Sequence, residues 1–305
     1  MTWIVCACIV SIMITRQFYL ENERNTRRFI FKHLDAFRPD AGDWNAFPLL
    51  PVEGAELLPG QMIEIMTYLK PTTGAGAGAS IILRGKKNIT EYLPSRTGSI
   101  SRLGALLNKY HSDKASPHRY HVFYAHILDQ LIAASPTQHA IATLEVGLGT
   151  NNKKFVSSMG EHGSPGASLR AFRDYLPTDS QIYGADVDRG ILFGENQIKT
   201  AFVNQLDKDS FEQMNKELGK DTFDLIIDDG LHALTSMLAT LLFGLKHVRP
   251  GGWIVIEDLF EARWPFWISV VDAILRTNPE FKTMLAMHED DYSSAYLVQR
   301  VPHLI

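Results

Sequence analysis

The chain has 305 residues, of which 45% are hydrophobic and 21% charged, an ordinary balance for a globular protein with a sizeable buried core. Its formal charge of -4 and the lack of any Lys/Arg-rich run argue against a nucleic-acid partner, which would need a basic face. The two cysteines, Cys6 and Cys8, form neither a plausible zinc site nor a disulfide framework, so a reducing, cytoplasmic setting is expected.

Residues 3–15 are almost wholly apolar, but the run is shorter than the ~20 residues that a membrane span requires. Arg16 follows the run rather than preceding it, unlike the basic start of a secretory signal. A buried helix or strand is the expected state, with membrane association disfavoured. Prolines punctuate residues 1–95, and the stretch TTGAGAGAS at 72–80 lies between strand-like runs at 62–69 and 80–83. It lacks the Gly-Lys-Ser/Thr ending of a phosphate loop and reads as a connection. Residues 1–95 are therefore expected to form an accessory region, an oligomerisation element or a lid, with residues 96–305 as the main domain.

Regular patterns begin after residue 96. Tyr120, Phe123, Tyr124, Ile127, Leu128 and Leu131 recur at helical spacing and predict a helix over 118–134. A buried strand follows at 140–146, a helix at 167–176, a strand at 181–187 and a shorter strand closing at Phe202 and Val203. Phe211, Met214 and Leu218 predict a helix that ends at Gly219. Then come a strand at 223–227, a helix at 234–248, a strand at 253–256, a helical stretch at 265–276 and a closing strand at 294–299. This alternation predicts a Rossmann-like α/β fold, a mainly parallel sheet with helices on both faces. Ligands of such sheets bind beyond the carboxyl ends of the strands, where strand order reverses.

The segments just after the strands carry the candidate chemistry. The first strand ends Glu145-Val146-Gly147-Leu148-Gly149, where glycines let the backbone turn and approach a ligand. Asn152 occupies the place of the third glycine of a dinucleotide fingerprint, which disfavours a nicotinamide cofactor. Asp186, at the tip of the second strand, can accept both hydroxyl protons of a ribose. Asp228-Asp229 and Glu257-Asp258 follow two further strands, and neighbouring strands would bring these clusters together. Such crowded carboxylates need protons or a divalent cation as compensation. Oxygen ligands favour Mg²⁺, and Asp229, Glu257 and Asp258 are the expected ligands. His232, three residues beyond Asp229, is the candidate general base for an acceptor hydroxyl. Trp264, Phe266 and Trp267 line either an acceptor pocket or a helix core.

The ordered pieces KYHSDK (109–114), LEVG (144–147), GASLR (166–170), IYGAD (182–186), IIDDGLH (226–232) and RPGG (249–252) leading to IEDL (256–259) resemble a known family. They look like the class I S-adenosylmethionine-dependent methyltransferases of natural-product and sugar tailoring, especially the macrolide-sugar O-methyltransferases. The resemblance covers about residues 105–260 and does not reach residues 1–95. It implies that Glu145, Gly147 and Gly149 line the methionine part of the cofactor, with Asp186 at the ribose. It also places Asp207 near the adenine, Asp228 in the cofactor site, and Tyr110 and Lys114 in a segment folded over the cofactor. The acceptor it implies is a hydroxyl of a small molecule such as a sugar of a secondary metabolite, methylated with help from Mg²⁺. Two alternatives stay open: a metal-independent N- or O-methyltransferase, and a non-catalytic protein that binds the cofactor.

Overall fold

The computed structural model describes residues 81–135, 140–260, 267, 271–275, 278–288 and 294–302. The apolar run at 3–15, the Gly-Ala stretch, Trp264 and Phe266 lie outside them. So does most of the predicted helix at 265–276, of which Asp272–Leu275 is helical. Among the described residues no helix is long and apolar enough to cross a membrane.

Among the described residues, nine strands form one sheet in the order β1-β8-β9-β7-β6-β2-β3-β5-β4. The central strands are β2 (Ala142–Val146), β3 (Gln181–Asp186), β5 (Ile198–Phe202), β6 (Phe223–Asp228) and β7 (Val248–Ile256). They pair in parallel, as the alternating sequence predicts. The hairpin β8 (Phe281–Met287) and β9 (Ser294–Arg300) adds antiparallel pairing beside β7, and the two-residue β4 (Gly194–Glu195) closes the far edge. Strand β8 escapes the period-two pattern because Thr283 through Met287 are buried without alternation, so no polar face marks it.

The edge strand β1 (Ile81–Arg84) pairs in parallel with β8 and is followed directly by helix α1 (Gly85–Tyr92). The end of the region expected to be accessory, residues 81–95, is thus built into the same sheet and its helical cover. Helices α2 (Ser99–Lys109), α3 (His121–Ala134) and α4 (Ala167–Tyr175) join α1 on one face, where Ile89, Leu103, Leu107, Phe123, Leu128 and Phe172 share a core with Ile227 and Val255. Helices α5 (Lys208–Leu218) and α6 (Leu234–His247) cover the other face, packing Phe211, Met214, Leu238 and Leu241 on Val146, Ile226 and Ile254. Helix α3 starts three residues later than its apolar spacing predicts. Arg119, at φ 58°, occupies the left-handed region, which interrupts helical dihedrals just before the first turn.

Register fixes the functional edge. Val146 stands opposite Ala185 and Asp228, and Asp228 opposite Ile256. One residue beyond, Gly147 N donates to Ala185 O, Asp229 N to Val146 O and Glu257 N to Asp228 O. Gly147, Asp186, Asp229 and Glu257 therefore sit at one level across four adjacent strands, at the point where β2 is flanked by β3 on one side and β6 on the other.

Candidate active site at the carboxyl edge of the sheet

Two adjoining cavities open at this edge. The first, with about 460 Å³ of empty space continuous with solvent, is lined by Gly147, Phe155, Val156, Asp186, Asn204, Gln205 and Leu231, among others. The second, about 370 Å³, includes Asp113, Gly149, Thr150, Met159, Asp229, His232 and Asp258 in its walls. Gly147, Ser157, Asp186 and Gly230 belong to both, so the two form a continuous groove.

Gly147 has φ 100°, and a Cβ there would lie 1.9 Å from the carbonyl oxygen of Asp229. No side chain fits, and the bare backbone faces both cavities. Asp186 accepts from Leu148 N at 2.7 Å and from Asp188 N at 2.8 Å, one amide on each oxygen. Burial pushes its carboxyl pKa up, while the amides of Asp188 and Leu148 oppose the shift. Each oxygen keeps a lone pair for a hydroxyl in the groove. Asp188 braces the same turn, accepting from Thr150 Oγ1 at 2.5 Å and Gly190 N at 2.8 Å.

The carboxylates after β6 and β7 are sorted by strand alternation. Asp228 points to the face covered by α5 and α6, where it accepts from Gln205 Nε2 at 2.7 Å. The same amide nitrogen reaches Thr240 Oγ1 at 2.9 Å, and Gln205 Oε1 accepts from Leu231 N at 2.9 Å. Gln205 thereby ties the loop after β5 to the loop that carries Asp229 and His232. Burial pushes the Asp228 carboxyl up to about 6, partly opposed by the Thr240 hydroxyl and His232. The folded state then binds a proton more readily than the unfolded chain, so this group's contribution to stability falls as pH rises from about 4 to about 6. Asp228→Asn should be more stable than the parent at neutral pH by up to about 3 kcal/mol, and should lose that advantage toward pH 4. Thermal unfolding of both proteins across this pH range checks the sign.

Asp229 and Glu257 point to the opposite face and meet Lys114. Its ammonium lies 2.5 Å from Asp229 Oδ2, 2.6 Å from Glu257 Oε2 and 3.2 Å from Glu145 Oε1. Desolvation of this fully buried amine pulls its pKa down, but attraction to Asp229, Glu257 and Glu145 outweighs it and holds the pKa well above the ordinary lysine value. The sequence reading named protons or a divalent cation as compensation for the crowded carboxylates. The structure supplies a third means, a lysine already in the chain. Glu145, which also accepts from Ser168 Oγ at 2.6 Å, lines neither of the two cavities, and Lys114 likewise stays behind their walls. Glu257 accepts from the Tyr124 hydroxyl as well as from Lys114. Its oxygens are thus turned away from the groove that Asp229 and Asp258 face.

Among the described residues, the one trio able to offer ligand atoms within 4.8 Å of one another is Asp229, His232 and Asp258. His232 Nε2 stands 3.5 Å from Asp258 Oδ2 and 3.8 Å from Asp229 Oδ1. His232 and Asp258 hold φ of 55° and 53°, a conformation that costs side-chain-bearing residues about 1–3 kcal/mol and concentrates at functional sites. Asp258 is fixed by the Tyr120 hydroxyl at 2.6 Å. Tyr120, the N-cap of α3, and Tyr124 in its first turn are four residues apart, so the start of one helix delivers two phenols to two consecutive carboxylates. The sequence reading assigned both tyrosines to the core stripe, which their rings occupy. Only the polar ends of that stripe could have flagged them.

Tyr110 and Asp207, also named by the resemblance, lie away from the groove as well. Tyr110 donates to Asp174 Oδ2 at 2.6 Å and accepts from Arg173 Nη2 at 3.1 Å, at the junction of α2 and α4. Asp207 caps α5 by accepting from Asp209 N, while Asn204, Gln205 and Leu206 face the first cavity in its stead.

Residues 161–259 match the family described as a methyltransferase domain. The chain is similar to the mycinamicin VI 2''-O-methyltransferase of Micromonospora griseorubida, with 36% identity over 100 residues, covering 33% of this chain and 24% of that protein. It is also similar to the L-olivosyl-oleandolide 3-O-methyltransferase of Streptomyces antibioticus, with 29% identity over 188 residues, covering 62% of this chain and 44% of the relative. A solved structure of the MycE methyltransferase of mycinamycin biosynthesis, in complex with Mg and SAH, aligns with 24% identity and a TM-score of 0.49 over 66% of this chain and 55% of that one. The chain thus spans less than half the length of these two curated relatives. The resemblance to sugar O-methyltransferases read from the sequence is borne out by the family match and the two curated relatives.

Proposed function

We propose that this chain, which carries a methyltransferase domain at residues 161–259, transfers a methyl group from S-adenosylmethionine to a hydroxyl of a small glycosylated natural product. The observation that carries this reading is the continuous groove over Gly147 and Asp186, with an acid–imidazole corner, Asp229–His232–Asp258, at one end. The first cavity, with Val156, Val203 and Leu206 in its walls, suits an adenosine whose ribose hydroxyls donate to Asp186. The methionine portion would then run over Gly147 and Gly149 into the second cavity. The sugar O-methyltransferases among the relatives support a sugar hydroxyl as acceptor.

S-adenosylmethionine, when bound, supplies an electrophilic methyl group on a sulfonium. Asp229 and Asp258 offer the oxygen donors that Mg²⁺ prefers, and such a cation makes a hydroxyl bound to it more acidic. His232 is the general base: its Nε2 takes the acceptor's proton as the O–C bond forms and the C–S bond breaks. Asp258, held by Tyr120, and Asp229, held by Lys114, keep the imidazole beside the groove. The left-handed backbone at His232 and the Gln205 clamp on Leu231 fix the loop from which it projects.

One observation favours a second reading, transfer without a metal. Lys114 already offsets part of the negative charge, which leaves His232 able to work alone. Calorimetric titration with S-adenosylmethionine, with and without Mg²⁺, tests the proposal. Micromolar binding is expected, followed by methylation of a glycoside that a chelator abolishes and Mg²⁺ restores. Activity untouched by chelator selects the metal-free reading, and absence of cofactor binding in both conditions rejects both.

A further inference from the structure

Behind the groove wall Lys114 meets Glu145 and Glu257, and it also grips Asp229, which reaches the second cavity. An ammonium has three N–H donors and no acceptor. Here it faces three carboxylates, one from the tip of each of three adjacent strands, β2, β6 and β7. Its side chain is 1% exposed, as is that of Glu257, and Glu145 is 2% exposed. The donors are matched one to one, which leaves none for a ligand in the groove.

We infer that Lys114 is the resident counter-ion of the acidic sheet edge: a positioning residue that holds the three strand tips together without any external cation and turns one oxygen of Asp229 toward the groove. Asp229 is divided between two environments, Oδ2 on Lys114 and Oδ1 facing His232. An external cation is thereby confined to the corner formed by Asp229, His232 and Asp258, and the inner cage is closed to it. The phenol of Tyr124 and the hydroxyl of Ser168 complete the shells of Glu257 and Glu145, so the cage is satisfied on every side. Arginine would not serve, because its planar fork cannot point at three converging carboxylates. The inference rests on the proposed function only for what occupies the outer corner.

The test is the thermal unfolding of the full chain, which does not require methyl transfer or cofactor binding. In chelator, the parent should keep its melting temperature to within about 3 °C of its value with Mg²⁺, about 1 kcal/mol or less for a protein of this size. Lys114→Met, close in volume but uncharged, strands three buried carboxylates and should melt about 10 °C lower in chelator. Adding Glu257→Gln to that variant should recover at least half of the loss, because one of the stranded charges is gone. If Lys114→Met fails to fold, a folded Lys114→Met/Glu257→Gln double variant supports the inference, and failure of both overturns it. It is also overturned if Lys114→Met melts within about 3 °C of the parent, or if Glu257→Gln restores none of the loss. A parent that needs Mg²⁺ to remain folded would overturn it as well.

Discussion

His232→Ala should lower kcat by about 10²–10⁴-fold at saturating acceptor and cofactor, with the affinity for S-adenosylmethionine changed by less than about threefold. The reason is geometric. His232 borders the second cavity beside Asp229 and Asp258 but does not line the first, where the adenosine would lie. Removing the imidazole therefore takes away a proton acceptor and leaves the nucleoside pocket intact. An alcohol is a poor nucleophile near neutral pH, so losing the base falls on the chemical step rather than on binding. Full turnover in the variant would remove His232 from the mechanism.

Gly147→Ala should abolish measurable S-adenosylmethionine binding and lower the melting temperature by several degrees, on the order of 2–3 kcal/mol. Two independent effects act at this position. The new methyl group would collide with the backbone of Asp229 and Gly230, and neither can move without disturbing the strand-tip ladder. Alanine also resists φ 100°, a value that glycine tolerates freely. Gly149→Ala is the internal contrast. Its φ of 78° is also left-handed, but the nearest atom to a Cβ there is the flexible end of Met159, at 3.5 Å. Calorimetry on both variants separates backbone strain from collision.

Much of the fold was legible because each central strand is a short apolar run bounded by glycine, aspartate or a helical stripe. The glycines at 147 and 149, the aspartate at 186 and the acid pairs at 228–229 and 257–258 follow strands directly, and the register brings them to one edge. What the sequence hid has two physical causes. Contacts between distant segments leave no local period, so Lys114 read as a segment folded over the cofactor, whereas it fills a cage built from three strands. Residues that serve two purposes are read by their larger part: the rings of Tyr120 and Tyr124 follow the helical stripe, and their hydroxyls go unnoticed. Asp207 and Gln205 illustrate a finer limit. Both follow β5, but the aspartate is spent on capping α5, and the glutamine two residues earlier takes the place beside the groove.

The alternation of side chains along β6 divides labour across a partition. Asp228 and Asp229 are consecutive, but the first belongs to the layer of α5 and α6, through Gln205 and Thr240. The second belongs to the layer of α3 and α4 and the segment before them, through Lys114. The hydroxyls and the ammonium that steady the carboxylates at 145, 257 and 258 also come from this second layer: Ser168, Tyr124, Tyr120 and Lys114 itself. Consecutive residues of one strand tip are thereby steadied from opposite sides of the sheet, and Gln205 joins the two sides at the loop that carries His232. A change in either helical layer is therefore transmitted to His232, through Gln205 from one side and through Asp229 from the other.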